Sequence, residues 1–179
     1  MNYQDILNFW FSADAQPLWF AKNDDFDASI EKNFQRLHQQ AAQAELWPWR
    51  QHAAGRLAEI IALDQFSRNL YRGSAQAFAQ DPLALALAQE CVQQGLDQTL
   101  SSEQRLFVYL PFMHSESLPM QEQSLLLFQS LGLAGHLDYA KQHHAIIARF
   151  GRFPHRNAVL GRTSSAEELA FLTEPNSSF

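Results

Sequence analysis

The sequence predicts an all-α fold of about eight helices in antiparallel pairs, on three observations. Apolar residues recur at three- and four-residue steps along most of the chain. No period-two run is bounded by an Asn-Gly or Asp-Gly turn, so no strand is expected. Gly and Pro punctuate the periodic stretches at short intervals, which implies short links between neighbouring helices. A chain of 179 residues without a Gly/Ser-rich linker fits one domain over 1–179, with a loose polar tail at 174–179.

Ile6, Leu7, Trp10 and Phe11 make a first short stripe. A second helix starts near Asp24 or Asp25, with acids in its first turn, carries Phe26, Ile30, Phe34 and Leu37, and ends before Pro48. Gly55 precedes the third, over 56–71. Its apolar residues, Leu57, Ile60, Ile61, Leu63, Leu70 and Tyr71, cover much of the circumference, so it belongs at the centre. Gly73-Ser74 breaks it. Asp81 as N-cap with Pro82 behind it opens the next helix, and Gly95 closes it. Ser102 caps another, which Pro111 interrupts. Pro119–Leu131, His136–Phe150 and a short Ala166–Leu172 complete the set, with Gly132 and Gly151 as stops.

Composition narrows the function classes. The net charge of −6 argues against a nucleic-acid binder. Cys91 is the only cysteine, which excludes an internal disulfide and a Cys-based zinc site, and it reads as a buried small hydrophobe. The start MNYQDILNFWFSAD lacks a secretory signal's basic region and long apolar run, and no stretch approaches the ~20 apolar residues of a membrane span. A reducing cytoplasm is the expected location, with no cofactor and no metal.

Three segments concentrate polar chemistry. In LDQFSRNLYR (63–72), Asp64 and Arg68, Gln65 and Asn69, and Arg68 and Arg72 stand four apart on shared faces of an otherwise apolar helix. Such groups either face water or bond to one another. In YLPFMHSE (109–116), the helix break at Pro111 puts His114 and Glu116 in a turn, where the pair can move a proton or cap backbone N–H groups. In FGRFPHRNAVLGR (150–162), Arg152, Arg156 and Arg162, with Arg149 just before, lie in fourteen residues that hold no acid, beside His155 and Asn157. Ten of the thirteen basic residues are Arg, the side chain suited to bidentate bonds with carboxylate or phosphate. This loop needs counter-charges: internal ones such as Asp64 or Glu116, or an anionic ligand. His143 and His144 are adjacent, so they point apart and make no metal pair.

The strings NFWF (8–11), WFAKNDDFD (19–27), GRLAEIIALDQFSRNLYRGSAQAFAQD (55–81), YLPFMHSE and FGRFPHRNAVLGRTSSAEELAFL (150–172) run in order along almost the whole chain. In them the sequence resembles the bacterial family called domain of unknown function 924. The resemblance implies an all-helical, tetratricopeptide-like right-handed stack. It implies no activity and transfers no catalytic residue.

Three readings of function stay open. As a binding module, the chain holds an anionic small molecule or an acidic peptide through Asp64, Arg68, Asn69, Arg72, Arg152, His155, Arg156, Asn157 and Arg162. As an enzyme, it uses His114 and Glu116, or His155, as acid and base, with Asp64 orienting a His and the arginines holding an anionic substrate. In the third reading the polar network is purely structural.

Overall fold

The computed structural model describes residues 1–178. Asn2 caps α1 (Tyr3–Trp10) with a capping box to Asp5. Asn23 caps α2 (Asp24–Ala42), whose first turn holds Asp24, Asp25 and Asp27 as the helix dipole favours. The third rod is α3 (Ala53–Ile61), a π turn (Ala62–Phe66) and α4 (Ser67–Leu70), continuous with one another. Then follow α5 (Asp81–Gln93), α6 (Ser102–Met113), α7 (Leu118–Leu131), α8 (His136–Phe150) and α9 (Ala166–Phe171). Among the described residues there is no strand, and the fold is all-α as the periodicity predicts.

The third rod is central. Every residue from Gly55 to Ser67 is buried, and α3 packs against α1, α5 and α6. Around it the core gathers Trp10, Phe66, Phe107 and Trp19, with Trp10 edge-on to Phe66 at 5.6 Å and to Phe107 at 5.5 Å between ring centroids. Further along the chain, successive helices pack on one another: α5 on α6, α6 on α7, α7 on α8. A smaller apolar cluster of Ile146, Ile147, Phe153 and Phe171 closes the C-terminal end.

Several boundaries differ from the sequence reading, each for a local reason. Gly55 lies inside α3, not before it, and its missing Cβ is what lets the helix approach the Trp49 carbonyl oxygen, from which a Cβ would stand 2.2 Å. Asp81 is the first helical residue and Gln80 the N-cap; the Asp81 carboxylate is drawn away to two arginines. Ser101, not Ser102, caps α6, in a capping box with Gln104. Pro111 does not interrupt α6, which runs on to Met113. The two N–H groups of the Gln121 amide then donate to the Met113 and Ser115 carbonyls at 2.6 and 2.7 Å, so the end of α6 is tied to α7. The tail is less loose than expected. Ser177 is buried and its hydroxyl donates to the Leu172 carbonyl, while position 179 lies outside the described residues.

No helix among the described residues is long and apolar enough to cross a membrane.

Candidate functional site

The π turn builds the first part of the site. Widening a helix frees carbonyl oxygens. Here the Ser67 hydroxyl donates to the Leu63 oxygen at 2.5 Å, and Arg68 Nη1 to the Asp64 oxygen at 2.7 Å. The turn carries Asp64, 1% exposed, into the interior between α3 and the end of α6. Its Oδ1 lies 2.7 Å from His114 Nδ1 and 3.1 Å from Arg68 Nη1, and its Oδ2 accepts from the Gln65 amide at 2.5 Å. Burial alone would push the Asp64 pKa up. The Arg68 guanidinium and His114 outweigh it and hold the carboxyl well below the usual range. An ionised carboxylate only accepts, so His114 carries its proton on Nδ1 and presents a lone pair at Nε2. Burial, then Arg68, pushes the His114 pKa below the ordinary value, against the pull of Asp64, so the ring is neutral near pH 7.

Asp81 joins this group to the C-terminal segment. Arg68 takes both its oxygens, at 2.9 and 3.1 Å. Arg156 takes what is left, a single bond of 3.2 Å from Nη1 to Oδ2. The Arg156 guanidinium sits between the Phe78 and Phe153 rings, 4.4 and 4.5 Å from their centroids. It is 6% exposed, and its buried Nε meets no acceptor among the described residues. Burial draws its pKa down to about 10, with Asp81 opposing and Arg68 adding repulsion. A guanidinium has five donors; this one is withdrawn from water with one long bond.

Glu116 fixes the other side. Its carboxylate accepts from Arg162 at 2.6 and 2.9 Å and from the Phe153 backbone N–H at 2.8 Å. Burial raises the Glu116 pKa, but those bonds outweigh it and hold the group low. Arg162 Nε also donates to Asn157 Oδ1, and the Asn157 amide reaches Ser164. His155 and His143 flank Phe153, with ring centroids 5.6 and 5.5 Å away, and His143 stands 6.4 Å from His114. Burial, and then neighbouring cationic or imidazole groups, depresses both: His155 to about 4 and His143 to about 3.

The fold therefore brings Asp64, Arg68, His114, Glu116, His155, Arg156, Asn157 and Arg162 into one connected region. It separates others from it. Asn69 and Arg72 both turn to Asp27 on α2, at 2.7 Å and at 2.9 and 3.0 Å. Arg152 forks onto Glu168 at 2.6 and 2.8 Å and holds α9. The expected His114–Glu116 pair does not form, because Arg162 claims Glu116 and Asp64 claims His114. Of the internal counter-charges named for the arginine segment, Glu116 serves Arg162, whereas Asp64 serves Arg68. Sequence reasoning missed Asp81, Phe78, Phe153 and His143. Asp81 had a sufficient explanation as a helix start, and nothing in the sequence singled out Phe78 or Phe153 among the fourteen Phe. Among the described residues no group of three or more His, Cys, Asp or Glu is placed to hold a metal ion.

Residues 6–176 match the family described as bacterial proteins of unknown function, DUF924, and the chain belongs to it. Its fold is similar to the solved structure of a protein of unknown function from Agrobacterium tumefaciens, with 41% identity, 96% of each chain covered and a TM-score of 0.91. A search of curated proteins gives no significant match.

Proposed function

We propose that this protein binds a small anionic ligand, a carboxylate or a phosphate, at Arg156. The observation that carries the reading is the state of that guanidinium: 6% exposed, clamped between two phenyl rings, and left with one 3.2 Å bond to a carboxylate that Arg68 already holds by two. Withdrawing a cation from water without full pairing is costly, and a bound anion removes that cost. Neutral His114 and His155 line the same region and can accept or donate a hydrogen bond without adding charge. The site is narrower than the nine residues expected from sequence. Arg68 and Arg162 already fork onto protein carboxylates and serve as its frame, while Arg72 and Arg152 are paired away from it. A tetratricopeptide-like stack fits the serial packing of α5 to α8, and a cytoplasmic location fits the buried Cys91 thiol, whose pKa burial raises to about 11.

A thermal-shift screen against inorganic phosphate, citrate, malate and glutamate tests it. A ligand at 100 times its Kd raises Tm by about 5–11 °C in a domain this size. The reading predicts a hit that Arg156→Met abolishes and Arg72→Met keeps. A hit unaffected by Arg156→Met would overturn it.

A second reading is that the bound anion is also turned over, with His114 as general base. The 2.7 Å bond to a buried, ionised Asp64 favours it, since that bond fixes the tautomer and leaves Nε2 as acceptor. For any hit from the screen, exchange of a carbon-bound proton in D2O, lost in His114→Gln, supports this role; no exchange and no other conversion rejects it.

A further inference from the structure

A cavity of about 260 Å³ lies between the C-terminal half of α2 and the segment that follows α4. Its chemistry differs from that of the arginine region. Gln39, Gln43, Gln76 and Gln80 supply four neutral amides, each with two N–H donors and one carbonyl acceptor. Tyr71, Ala42 and Ala79 supply apolar surface, and no Asp, Glu, Lys or Arg lines it. The eighth wall residue is His38, only 3% exposed.

The hydrogen bonds of His38 fix its tautomer. Ser67 Oγ stands 2.5 Å from the Leu63 carbonyl oxygen, so the hydroxyl proton lies between those two oxygens. The 2.8 Å contact between Ser67 Oγ and His38 Nε2 is then Nε2–H donating to Oγ. That leaves Nδ1 as a bare acceptor, and it is buried with no partner among the described residues. Burial lowers the His38 pKa, so protonation does not relieve it near neutral pH. The Ser67–His38 pair is not a nucleophile and its base: Ser67 is fully buried and its proton is committed to Leu63.

We infer that this cavity is a binding site for a neutral planar ring carrying an N–H donor and a carbonyl acceptor, of the nucleobase or carboxamide type. An N–H on the ligand satisfies His38 Nδ1, the glutamine amides pair with its remaining donors and acceptors, and the Tyr71 ring and alanine methyls cover its face. The volume lies below the roughly 300–1,000 Å³ of sites for drug-sized molecules, which restricts the ligand to one ring with small substituents. Charged ligands are selected against, because nothing in the wall compensates their desolvation. The long glutamine side chains are the movable part of the wall and admit the ring to the shielded nitrogen. This site stands apart from the one proposed at Arg156 and does not rest on it.

The test is an NMR titration of the whole chain with uracil and with nicotinamide. At least one probe is expected to saturate below about 10 mM, shifting the Tyr71 ring and the Gln76 and Gln80 side-chain amides. His38→Leu should weaken that probe at least about tenfold, the effect of losing one buried hydrogen bond. If His38→Leu does not fold, the Gln76→Ala/Gln80→Ala double variant, at positions in reach of solvent, should weaken binding about fivefold. Arg156→Met should leave the Kd unchanged. Failure of both probes to saturate, or an unchanged Kd in both the His38 and the glutamine variants, overturns the proposal.

Discussion

Two arginines, half-buried Arg68 and buried Arg156, share Asp81, and their unequal shares predict opposite consequences of removing them. Arg68 makes two bonds to Asp81 and one contact to Asp64. Arg68→Met leaves Asp64 buried beside His114 without its cation, and should cost about 3–5 kcal/mol in urea denaturation. Arg156 makes one long bond and lies between two rings. Arg156→Met keeps the apolar packing and removes an under-compensated charge, so stability should stay within about 1 kcal/mol of the parent or rise. A loss as large as that of Arg68→Met would mark Arg156 as a structural strut. The arginine richness and the acid-free run were legible in the sequence. Which arginine is left sharing a counter-charge was not, because that depends on Asp27, Asp81, Glu116 and Glu168, distant along the chain.

Elements meet at points where one atom decides the fit. Gly55 sits in α3 against the Trp49 carbonyl, where a Cβ would stand 2.2 Å away from backbone oxygen. Alanine is the better helix former by about 1 kcal/mol. Gly55→Ala should nevertheless destabilise, by about 1–3 kcal/mol, as α3 and the Trp47–Gln51 turn are forced apart. A melting temperature above the parent would show that the two elements do not meet this closely. The turn after α6 holds the C-terminal segment through Glu116, which takes the Phe153 N–H and Arg162. In Glu116→Gln the Arg162 charge loses its partner, and the Phe153 amide should exchange at least about tenfold faster. Unchanged protection there would mean that apolar packing of Phe153 holds the segment by itself. Helix starts were readable to within a few residues, but the named caps were one position off, Gln80 in place of Asp81 and Ser101 in place of Ser102. Pro111 reads as a break, yet α6 continues through it to Met113, whose carbonyl the Gln121 amide of α7 takes. The π turn at Ala62–Phe66 left no sequence signal.

At the scale of the whole molecule, apolar contacts build the body while polar bonds dominate the attachment of the C-terminal segment. The large cluster runs from Ile6 to Ala140, whereas among the described residues the last part of the chain adds a small cluster of Ile146, Ile147, Phe153 and Phe171, with Phe150 against it, beside its ion pairs. Acid should therefore loosen this end first. His143 and His155 are held neutral in the fold, below their unfolded value, next to His114, Arg156 and Arg162. As pH falls below about 6.5 the unfolded chain takes up protons that the folded one refuses. For His143 that removes about 1.4 kcal/mol per pH unit. The loss continues until the folded histidines titrate near 4 and 3. The carboxyls of Asp64, Glu116 and Glu168, held low by their partners, act with the same sign at still lower pH. Stability should thus decline from about pH 6.5 downward, with hydrogen exchange rising in residues 150–178 before the α3 core. A flat profile from pH 7 to 4 would contradict the neutral-histidine cluster. The sequence carried the helical class, the central rod and the segments that converge. It could not carry the convergence geometry, nor the cavity at His38, because a single histidine on an apolar helix face reads as core.

Anion binding at Arg156 would be reported directly by the Nε–H resonance of its guanidinium. We would titrate nitrogen-15-labelled protein with inorganic phosphate and with citrate and follow that signal, assigned by its loss in Arg156→Lys. A saturable downfield shift is expected with at least one of the two, as Nε gains the acceptor it lacks. A signal that stays in place at saturating anion, or shifts only in step with the exposed Arg149 signal as ionic strength rises, would contradict it.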